Sequence, residues 1–152
     1  MNGIEEIKHN LDLLKACDMA HGISDFKDAI DMLFTPQGRE FFMNTGYPSH
    51  QELIAHYSDL TDIPGMFIDC GNVILKHTPD NIANLLISGN SQVKLHISKP
   101  TILHRIIVAH NASIELNIGE YAVATITVVG ECEVNVINDG TAKATIERKH
   151  HG

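Results

Sequence analysis

The spacing of apolar positions changes along the chain near residue 65. From residue 66 to 149 apolar and polar side chains alternate, which is the period of β-strands. Residues 1–63 instead place apolar side chains three and four positions apart, which is typical of amphipathic helices. We therefore predict an α+β protein with a helical cap segment at 1–63 and a β segment at 66–149, expected to share one core.

Helix start signals divide the N-terminal segment into four short helices. The first is predicted over residues 3–21, and the second begins after Ser24, a good N-cap. Thr35-Pro36 supplies a cap and a first helical residue for the third, because proline lacks only an N–H that would be unpaired there. Ser49-x-x-Glu52 is a capping box for the fourth. The sequence thus predicts a bundle of short helices.

A ten-residue repeat runs through the C-terminal segment. The first position of each repeat holds a small residue. The positions two and four residues later hold small or branched apolar residues, which lie on the same face of the strand. Glycine follows in three of the repeats. The small positions are Ala112, Ala122, Cys132 and Ala142; the second positions are Ile114, Ala124, Val134 and Ala144; the third are Leu116, Ile126, Val136 and Ile146.

Two architectures explain this repeat. In a β-solenoid each unit is a strand plus a corner, and equivalent residues stack in columns between parallel coils. In an antiparallel β-sandwich or meander each unit is one strand, with Ser88–Ser91 as a hairpin turn. The constant strand phase, with its small residues stacked at one corner, favours the β-solenoid, expected as a right-handed β-helix capped by the helices.

Charge and composition restrict the classes of partner. The 152 residues carry 11 basic and 19 acidic side chains, a formal net charge of −8, which repels nucleic-acid backbones. No apolar stretch has the length of a membrane span. The three cysteines are widely spaced, which is typical of free thiols in a reducing compartment. We predict a cytoplasmic protein that binds neither nucleic acid nor membrane.

Catalytic and metal-binding motifs are weak in this sequence. Cys17 and His21 lie four apart on a predicted helix, as do Glu52 and His56, but zinc requires three or four ligands. His104 shares the phase of inward residues and is predicted to be a core or corner histidine. The sequence therefore predicts no catalytic residue, no metal site and no cofactor.

Two sets of polar residues are candidates for binding. Asp62, Asp69 and His77 lie near the junction of the two segments, where a carbohydrate could bind or be cleaved. The other set consists of polar positions that alternate with the apolar repeat and are expected to form one polar face. Its members are Glu115, Asn117, Thr125, Thr127, Glu133 and Asn135.

One stretch of the helical segment resembles a known group of proteins. It comprises Leu33-Phe34-Thr35-Pro36-Gln37-Gly38-Arg39-Glu40-Phe41 followed by Gly46-Tyr47-Pro48. It is similar to short, uncharacterised Bacteroidetes proteins that join a helical segment to a β-repeat tail. The resemblance covers the helical half and, in style, the tail. It implies an accessory protein of a prophage or mobile element and assigns no activity or site residue.

The sequence does not define a biochemical function. The regular polar face favours a non-enzymatic structural or protein-interaction module that recognises a protein partner or self-associates. The alternative is a protein that binds or acts on carbohydrate at the helix–β junction.

Overall fold

The computed structural model describes residues 26–55, 65–75, 82–98 and 102–148. The chain forms two compact units, Met1–Ile63 and Pro64–Gly152. The predicted helix over 3–21, the Ser24 cap and the Cys17–His21 pair lie outside the described residues, as does His56. The predicted α+β class with short N-terminal helices and a β-solenoid is confirmed.

Three helices are described in the first unit: α1 (Phe26–Leu33), α2 (Pro36–Thr45) and α3 (His50–Ala55). Thr35 caps α2 as predicted, because its Oγ1 accepts a hydrogen bond from Gly38 N at 3.0 Å. Gly46, in the left-handed conformation, ends α2. Ser49 Oγ accepts from Glu52 N at 3.2 Å, so one half of the predicted capping box forms.

Nine strands in the second unit make two parallel sheets. Sheet A has the order β1-β3-β5-β7-β9, and sheet B has the order β2-β4-β6-β8. The strands are β1 (Met66–Ile68), β2 (Gly71–Leu75), β3 (Asn84–Ser88), β4 (Ser91–Ser98), β5 (Leu103–Ala109), β6 (Ser113–Gly119), β7 (Val123–Val129), β8 (Glu133–Asn138) and β9 (Lys143–Arg148).

Successive strands alternate between the two sheets, so each coil of the solenoid contains two strands. Ser113 pairs with Glu133 and Val123 with Lys143, both twenty residues apart, and Gln92 pairs with Ser113 at twenty-one. Every described pairing is parallel. The antiparallel alternative is therefore wrong, and one coil spans two of the ten-residue repeats.

The interior between the sheets is filled by aliphatic columns that run from coil to coil. One column in sheet B is Leu75, Leu95, Leu116 and Val136, and Leu95 and Leu116 are fully buried. Such stacking replaces the hydration of each side chain by contact with equivalent side chains above and below. The predicted inward positions of the repeat are confirmed where the coils are internal.

The small residues do not form the single stack that the repeat suggested. Ala112 and Cys132 precede β6 and β8, which pair in sheet B. Ala122 and Ala142 precede β7 and β9, which pair in sheet A. The ten-residue spacing therefore places these residues alternately at opposite corners, because ten residues turn the chain through only half a coil.

The corners need backbone conformations that most residues avoid. Glu120 and Tyr121, between β6 and β7, both have positive φ. The corner of the next coil holds them: Asp139 Oδ2 accepts from Glu120 N at 3.1 Å, and Thr141 Oγ1 accepts from Tyr121 N at 3.0 Å. Asp139 Oδ1 in turn accepts from Thr141 Oγ1 at 2.6 Å and from Thr141 N at 2.8 Å.

Asp139 should make the stability of the solenoid depend on acid. The hydrogen bonds from the Thr141 side chain, then from the backbone N–H groups of Thr141 and Glu120, lower the pKa of Asp139. A lowered pKa means that the stabilisation is complete above the ordinary aspartate value of 3.8 and is lost as pH falls through the folded-state pKa. We expect Asp139→Asn to lower the urea midpoint at neutral pH, with the difference from wild type shrinking in acid. Parallel curves for the two proteins would contradict this role, and Glu131→Gln at another corner is the control.

Candidate functional site

The predicted polar face is divided between the two sheets. Glu115 and Asn117 on β6 and Glu133 and Asn135 on β8 all point outward from sheet B. Glu115 lies beside Asn135 in the ladder, and Ser113 lies beside Glu133. Four of the six predicted face residues therefore do come together, at neighbouring positions on one sheet.

A groove of about 810 Å³ lies along this outer face of sheet B. Amides, carboxylates and one ammonium group line it, and Lys94 Nζ lies 3.9 Å from Glu115 Oε2. Such side chains can donate and accept hydrogen bonds along an extended polar ligand. The lining includes Asn72, Gln92, Lys94, Glu115, Glu133 and Asn135.

Thr125 and Thr127 lie on sheet A instead, and the prediction that they belong to the same polar face is wrong. Thr127 is completely buried, although it points outward from the interior of the solenoid, and its Oγ1 lies 3.3 Å from Glu147 Oε2. Ile107 and Val129 are buried on the same outer side. The signal for this burial is present in the sequence as Ile106-Ile107-Val108-Ala109, where alternation gives way to a continuous apolar run.

Of the three predicted junction residues, only Asp69 lies within the described part of the chain. It occupies an exposed corner after β1 with φ of 52°, and its Oδ1 accepts from Asn90 N at 2.8 Å. That contact joins two successive corners, so it accounts for an aspartate here without a ligand. Asp62 and His77 lie outside the described residues.

The groups with potential chemistry are engaged in packing. His104 points inward, is buried and has its Nδ1 2.9 Å from Ile82 O, which accepts the ring proton. Burial raises the pKa of the Cys132 thiol, and Cys132 Sγ lies 3.5 Å from Val129 O. Both side chains occupy the inward positions that the repeat predicts. Within the described ranges, no cluster of three or more His, Cys, Asp or Glu is arranged to hold a metal ion.

The last coil, formed by β8 and β9, lies at one end of both sheets, and β1 and β2 lie at the other end. In the described part of the chain β8 pairs with β6 alone and β9 with β7 alone, so each has one edge without a strand. Val134 and Val136 are half-buried, and Ile146 is 45% exposed although its column neighbour Ile126 is fully buried. The sequence pattern does not distinguish this surface, because these residues follow the same alternation as the interior ones.

The apolar middle of the last coil has polar residues at two ends. Asn138 continues the column of Ile97 and Ile118, and Arg148 continues that of Val108 and Val128. Asn138 also closes the corner, since its Nδ2 donates to Ala142 O at 2.8 Å. An apolar centre with a polar rim is the usual composition of a protein–protein interface. We use the name terminal face for β8 and β9 together with their inward side chains.

Comparisons with protein-family models, with curated proteins and with solved structures give no match for this chain. In the described ranges, none of the helices combines the length and the hydropathy required to span a membrane.

Proposed function

We propose that this protein is a non-enzymatic structural and interaction module that binds through its terminal face. The observation that supports this proposal is the pair of strand edges on β8 and β9, which flank a half-exposed apolar centre. A strand edge has a row of backbone donors and acceptors and is a template for another strand. The terminal face combines two such edges with the apolar surface that makes pairing favourable.

Ile146→Lys should remove this binding. A lysine at the centre of the terminal face places a charge where an incoming partner would exclude water. We expect the wild-type chain to have a mass above that of the monomer, or to retain a partner in a pull-down from native lysate, and the variant to do neither. Size-exclusion chromatography with light scattering measures the mass.

The matched control is Leu103→Lys on β5, an internal strand of sheet A. Leu103 is 36% exposed and points outward from the solenoid. This variant should behave like the wild type. A strictly monomeric wild-type protein that retains no partner would contradict the proposed function.

Carbohydrate binding is the second candidate, and the groove on sheet B favours it. Amide and carboxylate side chains such as Gln92, Glu115 and Asn135 form the hydrogen bonds that hydroxyl-rich ligands need. A glycan array with the full chain tests it, with Glu115→Ala as the groove variant and Thr125→Ala on sheet A as the control. An array without binding would remove this candidate.

The similarity of the helical segment to short Bacteroidetes proteins supports an accessory role in a prophage or mobile element. The genes beside this one test that role, since a sugar-utilisation cluster would favour the carbohydrate alternative instead.

A further inference from the structure

The terminal face is suited to a particular partner, and this inference rests on the proposed function. We propose that the partner is a second copy of this chain, joined terminal face to terminal face by a twofold axis that passes between the copies at Asn135 and Thr145. This arrangement pairs β8 with β8 of the second copy and β9 with β9, both antiparallel. Each of the two sheets then continues across the dimer.

The spacing of the two sheets is the first reason for a second copy. The terminal face presents two strand edges that run in opposite directions, one in each sheet, separated by the apolar interior. An isolated peptide strand could pair with only one of these edges. A second copy presents both edges at the same separation, and a twofold interface is self-complementary by construction.

The inward side chains are complementary in size under this axis. Antiparallel pairing centred on Asn135 sets Val134 opposite Val136 of the second copy. Pairing centred on Thr145 sets Ala144 opposite Ile146. A small residue thus faces a large one in sheet A, and two residues of equal size face each other in sheet B. Both pairs would bury surface that is half-exposed in the single chain.

The outward side chains of β9 are complementary in charge. The same register sets Lys143 opposite Glu147 of the second copy, and the symmetry makes this pair occur twice. Asn135 faces Asn135 and Thr145 faces Thr145, which are pairs that can each donate and accept. Lys143, Thr145 and Glu147 all lie on the outer side of sheet A, so the facing groups share one surface.

Two other arrangements of a second copy are less favourable. A twofold axis that pairs β8 with β9 of the second copy, with Val134 opposite Ile146, also sets Glu133 opposite Glu147. Like charges in facing positions repel, so this arrangement is unfavourable. Head-to-tail stacking would lay β9, which has six residues, on β1, which has three. That stacking leaves half of the β9 edge without a strand.

Charge reversal at the facing pair tests the twofold pairing. Sedimentation of the full chain over a wide concentration range should show a reversible monomer–dimer equilibrium. Lys143→Glu alone, or Glu147→Lys alone, makes both facing pairs like-charged and should weaken the dimer about tenfold or more. An equimolar mixture of the two single variants restores opposite charges at both pairs, so it should recover the dimer. A variant that had failed to fold would not recover in the mixture.

The matched control is Lys94→Glu, which makes the same charge change on β4, an internal strand of sheet B. It should leave the dimerisation constant unchanged. A monomeric wild type at every concentration overturns both the dimer and self-association as the function. A wild-type dimer that Ile146→Lys abolishes but the charge variants leave intact, or that the mixture does not recover, overturns the twofold pairing and leaves the proposed function standing. Species larger than a dimer also overturn it, because a closed twofold interface stops at two copies.

Discussion

Leu116→Asp is expected to abolish the cooperative unfolding transition of the β unit. Leu116 is fully buried and stacks between Leu95 and Val136 in a column of the interior. A carboxylate there would lose its hydration with no partner to replace it, which would lower the free energy of unfolding by roughly several kcal/mol. Otherwise the group would have to remain protonated. Since a domain is stable by only about 5–15 kcal/mol, this loss is a large share of the total. Urea unfolding followed by circular dichroism measures it.

Two further variants separate burial from strand disruption. Glu115→Gln changes the neighbouring outward residue and should alter stability by only about 0.5 kcal/mol or less. Val136→Asp lies in the same column as Leu116, but on the half-buried last coil, so its cost should be smaller than that of Leu116→Asp. Equal losses at Leu116 and Val136 would mean that the last coil is as buried as the interior, and would also remove the basis for the terminal face.

Gly38→Ala is expected to destabilise the helical unit by about 1–3 kcal/mol or more, in the range of overpacked cores. Gly38 lies in the first turn of α2 against the end of α1, and an added Cβ would overlap the Met32 carbonyl oxygen. It would also lie 2.6 Å from Met32 C and 2.9 Å from Leu33 Cα. All of these are backbone atoms, so no side-chain rotation relieves the contact.

The sign of this effect makes it a useful test. Alanine is favoured over glycine in a helix interior by about 1 kcal/mol, so helix propensity alone predicts stabilisation. Gln37→Ala, at the exposed neighbouring position, is the control and should be neutral or slightly stabilising. Thermal unfolding followed by circular dichroism distinguishes the two cases, and a stabilised Gly38→Ala variant would show that α1 and α2 are not in this close contact.

Local chemistry was sufficient to predict several elements. The start of α2 at Pro36 follows from the Thr35 hydroxyl and from a proline that needs no N–H partner there. Alternation assigned Leu116, Ile126 and His104 to the interior, because successive side chains of a strand point to opposite faces whatever the strand pairs with. The terminal face could not be predicted in this way, since Val134 and Ile146 obey the same alternation as the interior residues.

By itself the sequence determined the change from helix to strand near residue 65 and the phase of the strands, and it favoured a parallel repeat over an antiparallel one. The tertiary structure alone decided that Ala112 and Ala122 lie at opposite corners and that the coil of β8 and β9 is open. The physical reason is that side-chain periodicity records which face of a strand is apolar. The number of residues per coil depends on how the backbone turns at the corners. The element that packs against an outer face or an edge depends on backbone hydrogen bonds, which form whatever the side chains are.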